Sequence, residues 1–366
     1  MKAYDYLIVG AGISGIVLAE RLASIGKKIL IIDKRNHIGG NCYDFYDDAG
    51  ILIHKYGPHY FRAKSNEIVE YLSKFTEWIP HIYKVKVKIG NKLFSFPLNK
   101  KTFEEFFEKK FNSEEEVKNF IEVIRDKTIL EPQNAKEQIL KTMGKEIYES
   151  FFKGYTEKQW GVKVEDLDAS VTARIPIRYN EDDSYILEDF QAMPKEGYTK
   201  MFEKMLVDEK IKVRLNTEYS DKLKQLAKNI IWTGTIDSYY NFKFGKLPYR
   251  SLDFIFASFN KEYVQEEGQI NYPSKEVPYT RIVEIKHVTH QKSPNTTISI
   301  EIPKNEGEPY YPMPTKEAKE IYRRYEEESK KEKNVYFIGR LGKYKYLNMD
   351  QCVEEALELF GEIENE

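Results

Sequence analysis

The chain has 366 residues, 41 % hydrophobic and 32 % charged, enough for two or three domains around a sizeable core. Its formal net charge is −2 with acidic and basic residues interspersed, which gives no reason to expect nucleic acid or an anionic membrane as a general partner; a small anionic ligand needs only a local pair of arginines. The only cysteines are Cys42 and Cys352, nothing requires a disulfide between them, and no apolar stretch reaches the roughly 18 residues of a membrane span, so a reduced, cytoplasmic setting is expected.

In chain order, Tyr6-Leu7-Ile8-Val9 reads as a buried strand. Ile16, Val17, Ala19, Leu22 and Ala23 recur at helical spacing, and Ile29–Ile32 reads as a second buried strand. That is half of a doubly wound nucleotide-binding sheet. Alternation from Tyr83 to Phe96 predicts a hairpin turning at Gly90-Asn91. Between Lys101 and Trp160 apolar residues lie three and four apart, which predicts helices, and Ser113 with Glu116 has capping-box spacing. Strands are expected around Arg174–Tyr179, Tyr185–Gln191, Arg250–Ser258, Tyr279–His287 and Thr296–Ile302. A helix over Gly197–Leu206, followed by "KVRL" and "NIIWTG", reads as a return to the first sheet. A helix at Lys316–Lys331, a strand at Asn334–Ile338 and a closing helix from Met349 complete the chain.

Gly10-Ala11-Gly12-Ile13-Ser14-Gly15 forms a G-x-G-x-x-G loop between the first strand and the first helix, and Asp33 ends the next strand eighteen residues after Gly15. Glycines at these positions let the backbone approach a pyrophosphate seated on the helix N-terminus, and the acidic residue can accept hydrogen bonds from ribose hydroxyls. A second glycine turn, Gly39-Gly40, follows six residues after Asp33, and "NVYFIGRLGKYKYLNMDQ" places Gly339-Arg340 and Asp350 at the far end of the chain. No second G-x-G-x-x-G marks a separate NADPH domain, so FAD fits better than NAD. Asp350 is also open to a reading as a plain helix N-cap. The expected fold class is α/β: a Rossmann-like FAD-binding domain from residues 1–80, 195–245 and 315–366, an inserted helical domain at 100–165, and an antiparallel β-sheet substrate domain from 81–99, 166–194 and 246–314.

The segments "RNHIGGN", "HKYGPHYF", "FSFPLN", "FFKGYTEKQWG", "RIPIR", "QAMPKEGYT", "VPYTRI", "PYYP" and "FIGRLGKYKYLNMDQ", in this order, resemble bacterial UDP-galactopyranose mutases over essentially the whole chain. The resemblance implies FAD binding by Gly10, Gly12, Gly15, Asp33, Gly39, Gly40, Asn41, Arg340 and Asp350, with His59 close to the flavin. It implies a uridine pocket at Phe151, Tyr155, Thr156, Trp160 and Tyr185, a diphosphate clamp of Arg174 and Arg281, and support from Tyr311 and Tyr346. It further implies a reduced-flavin N5–sugar adduct as the route from UDP-galactopyranose to UDP-galactofuranose, an electron donor for the flavin, a homodimer, and a role in cell-surface polysaccharide synthesis.

The residue types agree with these roles. Diphosphates suit planar, permanently charged guanidinium groups, and a uracil suits an aromatic face with a hydroxyl beside it. By spacing alone Phe151 and Tyr155 fit a helix core, and Arg174 and Arg281 fit surface ion pairs. No metal ligand set is expected, His287 and His290 being read as surface residues. The segment from Tyr179 to Phe190 reads as a lid.

Two positions depart from the commoner family pattern: Arg62 follows "HYF" where histidine is usual, and Tyr83 stands where asparagine is frequent. Both are expected at the sugar. Arg62 offers a donor fork to an N-acetyl carbonyl, which raises UDP-N-acetylgalactosamine as a substrate, against a plain structural arginine. An amine-oxidase-like FAD oxidoreductase and a non-catalytic flavin-bearing binding protein are the rival readings.

Overall fold

Five short apolar runs from distant parts of the chain meet in one parallel sheet. In the computed structural model, which describes residues 2–365, their order is Ile211–Arg214, Ile29–Ile32, Tyr4–Val9, Ala227–Trp232, Val335–Phe337. Helix Ile13–Ser24 crosses from the Tyr4–Val9 strand to the Ile29–Ile32 strand, and its fully buried Ile16, Val17, Leu18, Ala19 and Leu22 are enclosed between the sheet, helix Tyr198–Met205 and the C-terminal helix Met349–Asn365. The sequence "KVRL", the sequence "NIIWTG" and the strand near residue 335 join this sheet as expected.

A seven-stranded sheet runs Tyr311–Pro312, Tyr249–Phe259, Thr296–Lys304, Arg281–Val283, Gln269–Asn271, Val85–Ile89, Lys92–Phe96. All its pairings are antiparallel except that of Gln269–Asn271 with Val85–Ile89. The hairpin turns at Gly90 as predicted. Helices Lys100–Phe107, Glu114–Ile124 and Ala135–Met143 and the helical segment Tyr148–Lys153, which runs on into helix Gly154–Trp160, bury Phe103, Val117, Ile121, Ile139 and Phe151 in one cluster with the apolar side of that hairpin. Ser113 caps its helix by accepting the Glu116 N–H at 3.2 Å, but the Glu116 carboxylate reaches Asn112 N rather than Ser113 N, so half of the expected box forms, displaced by one residue.

Three strand expectations fail locally. Arg174–Tyr179 is no strand: helix Ser170–Ala173 ends at Arg174, and Pro176 removes the next ladder donor. Of Tyr185–Gln191 only the end is extended, as strand Phe190–Pro194, which pairs with Phe61–Ala63 and Trp78–Pro80. This third sheet pairs two strands expected in the nucleotide domain, within residues 1–80, with one expected in the substrate domain. In Tyr279–His287 pairing stops at Val283, because the Glu284 side chain turns to accept the Val264 and Gln265 N–H groups and helix Lys286–Thr289 follows. His287 belongs to that helix, stacked near Tyr263, and His290 ends it beside His81.

Cys42 and Cys352 are both free and buried. Among the described residues no helix is long and apolar enough to cross a membrane, and no cluster of three or more His, Cys, Asp or Glu forms a metal site.

One buried carboxylate stitches the nucleotide-side layers together. Asp44 accepts the N–H groups of Tyr198 (2.6 Å) and Thr199 (2.8 Å) at the start of helix Tyr198–Met205, where Gly197 offers no side-chain cap. Asp44→Ala leaves these donors buried without an acceptor and should lower the unfolding free energy by about 3 kcal/mol, read by urea denaturation. A loss below about 1 kcal/mol would show that the helix start holds itself.

Candidate functional site

The two glycine turns are built against each other. Gly39 N donates to Ala11 O at 2.7 Å, and a Cβ placed on Gly40, whose φ is +56°, would lie 2.9 Å from Gly12 Cα. A Cβ on Gly15 would lie 2.3 Å from Gly10 O. The helix that begins at Ile13 therefore starts flush against the loop, and Gly12 caps it with no side chain. Its positive end is left free to face an anion. Asp33 braces the loop, Oδ2 accepting Ala11 N–H and Oδ1 accepting Arg35 N–H, each at 2.8 Å. Arg35 lies over Tyr56 and donates to Asn41 Oδ1 at 3.0 Å.

This cradle fits a dinucleotide: side chains are absent where a pyrophosphate would lie, and a carboxylate stands at the strand end. Further along, Arg340 Nε and Asp350 Oδ1 are buried without a partner. Asp350 is not an N-cap. Its helix begins at Met349, and the Gln351 side chain accepts Asn348 N–H; the Asp350 carboxylate takes backbone N–H of its own turn and leaves Oδ1 for other use.

A cleft of about 420 Å³ opens beside the cradle. Asn41, His59, Arg62, Phe151, Tyr155, Thr156, Trp160, Arg174, Tyr185, Arg281, Tyr311, Arg340 and Tyr346 all line it, so thirteen residues singled out in the sequence are brought to one cavity. Gly10, Gly12, Gly15, Asp33, Gly39, Gly40 and Asp350 are not in its lining. Pattern reading missed Tyr60, Gln159, Asn271 and Tyr310, which also line it. Tyr60, Gln159 and Tyr310 lie inside the quoted segments, so adjacency was the available signal for them; Asn271 lies in none and reaches the cleft through its cross-strand register with Arg281. Tyr83 does not reach the cleft. It is fully buried, its hydroxyl donates to Ala192 O at 2.7 Å, and its ring stacks behind Tyr60 at 4.5 Å.

The lining holds four arginines and, among the described residues, no Asp or Glu. Arg281 is anchored from behind. Its cross-strand partner in the antiparallel register is Glu301, whose Oε2 accepts Arg281 Nε at 2.6 Å. Burial pushes the Glu301 carboxyl up and the guanidinium opposes it. Because the carboxylate takes only Nε, the two terminal nitrogens of Arg281 remain for a ligand. Arg174 packs over the Tyr346 ring at 4.9 Å and Arg340 over the same ring at 4.6 Å, with Tyr311 stacked against Tyr346 at 5.9 Å. Arg174 and Tyr346 are exposed toward the open cleft although both lie deep within the molecule. The surface ion-pair reading of Arg174 and Arg281 is thus excluded. Phe151 is both core and wall: it lines the cleft while packing against Phe94 and Phe106.

His59 is buried and neutral, its pKa pushed down to about 3 by burial and then by the nearby His54. Its Nδ1 lies 2.9 Å from Gly57 O, and a carbonyl can only accept, so Nδ1 carries the proton and Nε2 is an acceptor. Arg62 lies 3.7 Å from Glu188 and its Nε has no hydrogen-bond partner. The segment from Tyr179 to Phe190 is irregular but tied down: Asn99 holds Glu181 O and Asp182 O, and Tyr185 N donates to Tyr83 O at 2.7 Å.

A family profile described as UDP-galactopyranose mutase matches residues 150–346, and one for an NAD(P)-binding Rossmann-like domain matches residues 8–75. A probable UDP-galactopyranose mutase of Klebsiella pneumoniae is 39 % identical over 99 % of this chain and 95 % of its own length. A dTDP-fucopyranose mutase of Escherichia coli is 36 % identical over 96 % of each chain. The crystal structure of a reduced UDP-galactopyranose mutase superposes with a TM-score of 0.80 at 15 % identity, over 100 % of this chain and 94 % of that one. A putrescine oxidase shares the fold more distantly, with a TM-score of 0.61 at 13 % identity over 99 % of both chains.

Burial alone would raise the Tyr346 phenol, but Arg174, Arg340 and Arg281 outweigh it and bring the group down to about 7. A bound polyanion competes with the phenolate for the same guanidinium groups, so anion affinity should be greatest below pH 7 and fall as pH rises through it, by at most about tenfold per unit. UDP titrations from pH 6 to 9 check this; Tyr346→Phe should flatten the profile, and an equal slope in that variant would contradict the assignment.

Proposed function

The chain belongs to the UDP-galactopyranose mutase family, and on that premise we propose that it interconverts the pyranose and furanose ring forms of a UDP-galactose-type sugar with FAD as resident cofactor. The observation that carries this reading is the acid-free cleft, where Arg174, Arg281 and Arg340 converge on Tyr346 and Tyr311 beside a glycine cradle. A hydride-transferring oxidase of small amines has no need of such a clamp. A nucleoside diphosphate sugar does.

The residues divide the work by position. Gly10, Gly12, Gly15, Gly39, Gly40 and Asn41 hold the FAD diphosphate, Asp33 the adenosine ribose, and Arg340 and Asp350 the flavin end. When bound in reduced form, the flavin supplies the nucleophile at the anomeric carbon, which lets a ring contraction be redox neutral overall. Phe151, Tyr155, Thr156, Trp160 and Tyr185 form the uridine wall, one aromatic face with hydroxyl donors beside it. Arg174 and Arg281 hold the diphosphate as it leaves and returns, and Tyr311 and Tyr346 steady it. His59 presents a neutral hydrogen-bond acceptor, Nε2, which can orient a hydroxyl; because burial holds its pKa down to about 3, it keeps the hydroxyl's hydrogen as a shared bond and stays uncharged.

This reading keeps the three-part division set out for the sequence, with a homodimer, a cytoplasmic setting, an external electron donor and supply of a cell-surface glycan. Arg62 extends it to UDP-N-acetylgalactosamine, since it lines the cleft and its Nε, 3.7 Å from Glu188, makes no hydrogen bond, which leaves its guanidinium donors to suit an acyl oxygen. Similarity to a mutase named for a thymidine diphosphate deoxy-sugar makes dTDP-fucose a comparison substrate for the same assay.

Dithionite-reduced protein incubated with UDP-galactose should yield the furanose isomer by chromatography. Arg174→Lys and Arg281→Lys should each lower kcat/KM by about 100-fold, a lysine offering one point charge where a fork is needed. Turnover of amines by the oxidised protein, without furanose product, would favour the oxidase reading instead. For the sugar, Arg62→His should cut turnover of UDP-N-acetylgalactosamine relative to UDP-galactose by about tenfold; an unchanged ratio removes Arg62 from selectivity.

A further inference from the structure

Lys158 sits in the turn of helix Gly154–Trp160 that also carries Tyr155, Thr156, Gln159 and Trp160, four residues of the cleft wall. Lys158 itself is not in that wall. Its ammonium is turned away, into the loop of residues 272–280, where it donates to four backbone carbonyls: Tyr272 O at 2.7 Å, Ser274 O at 2.6 Å, Val277 O at 3.1 Å and Tyr279 O at 2.7 Å. This loop joins two antiparallel strands whose facing ends are Asn271 and Arg281, both of them cleft residues. The carbonyl ring is therefore a cation cage at the tip of the hairpin that presents Arg281, with a lysine from the adjoining helix as its cation.

The rest of the contact is built for the same closeness. A Cβ on Gly154 would lie 2.2 Å from Pro273 O, Lys275 pairs with Glu157, and Thr280 Oγ1 lies 3.5 Å from Gln159 Oε1. Loop carbonyls that converge on one point repel each other unless a cation or donors sit between them. Without the ammonium the loop has to open, and its opening acts on the residue that ends it, Arg281.

We propose that Lys158 is a positioning residue: its ammonium locks the hairpin loop of residues 272–280 to the uridine-side helix and so fixes the diphosphate-binding Arg281 beside the cleft residues of that helix. The inference rests on the nucleotide-sugar reading of the cleft for the ligand, but the cage itself is independent of it. A second caged lysine supplies the comparison. Lys286 donates to Glu262 O, Ser293 O and Asn295 O and is fully buried, and none of these carbonyls belongs to the loop of residues 272–280.

Hydrogen–deuterium exchange and UDP titration on the full-length flavin-loaded protein separate the possibilities. In Lys158→Met, exchange should rise across residues 272–281 and UDP should bind about tenfold or more weakly, with KM affected more than kcat. Lys158→Arg should not restore affinity, because a planar fork cannot meet four convergent carbonyls. Ethylammonium added to Lys158→Ala should restore part of it, while sodium at equal ionic strength should not. Unchanged exchange at 272–281 in Lys158→Met would overturn the cage. Raised exchange with unchanged UDP affinity, or an equal loss of affinity in Lys286→Met, would overturn the link to Arg281. Failure of the parent protein to bind UDP would count against the nucleotide-sugar reading, while the exchange data still decide the cage.

Discussion

Like charges packed together with no carboxylate among them are tolerated in a folded protein only where something else compensates. Arg174, Arg281 and Arg340 all act on Tyr346 within one acid-free lining, in a chain whose net charge is −2. Glu301 neutralises one of them from behind the wall, and tyrosine rings shield the other two. The rest of the architecture serves this arrangement. The seven-stranded sheet sets Glu301 opposite Arg281, helix Ser170–Ala173 ends at Arg174, and the strand Val335–Phe337 leads into the short helix that carries Arg340. What remains uncompensated is a positive field aimed at the cavity, which is what a dianionic pyrophosphate requires.

The cofactor cradle solves a different problem, that of bringing backbone close to a ligand. Gly12 and Gly40 nearly touch, and Asp33 spends a carboxylate oxygen on Ala11 N–H, so the loop is rigid before anything binds. A rigid cradle and a charged cleft share a border at Asn41 and Arg340. In the proposed reading, that border is where flavin and sugar meet.

Legibility in the sequence followed the reach of each physical signal. The glycine loop, Asp33 and the apolar strands around them obey short-range rules of turn and period, and they fold as those rules say. The assembly of the cleft came from the resemblance of whole segments, since no local rule places Arg174 near Arg281. Where local reading failed, tertiary contacts decided. Arg174–Tyr179 has the composition of a strand, but Pro176 and the helix end at Arg174 override it. Tyr83, standing where the family pattern often has asparagine, reads as a second sugar contact, yet its hydroxyl donates to Ala192 O in the core, with Phe61 O also close. Glu301 and Lys158 escaped notice because their importance lies in a cross-strand register and a set of carbonyls, neither of which a linear pattern encodes.

The central claim is that the guanidinium groups of this cleft recognise a diphosphate rather than merely lining a hole. Calorimetric titration of the flavin-loaded protein with UDP and with uridine, side by side at low salt, tests it most directly. The account predicts that UDP binds at least about 100-fold more tightly than uridine, the value of two charge-assisted clamps. Equal affinity for the two would contradict it.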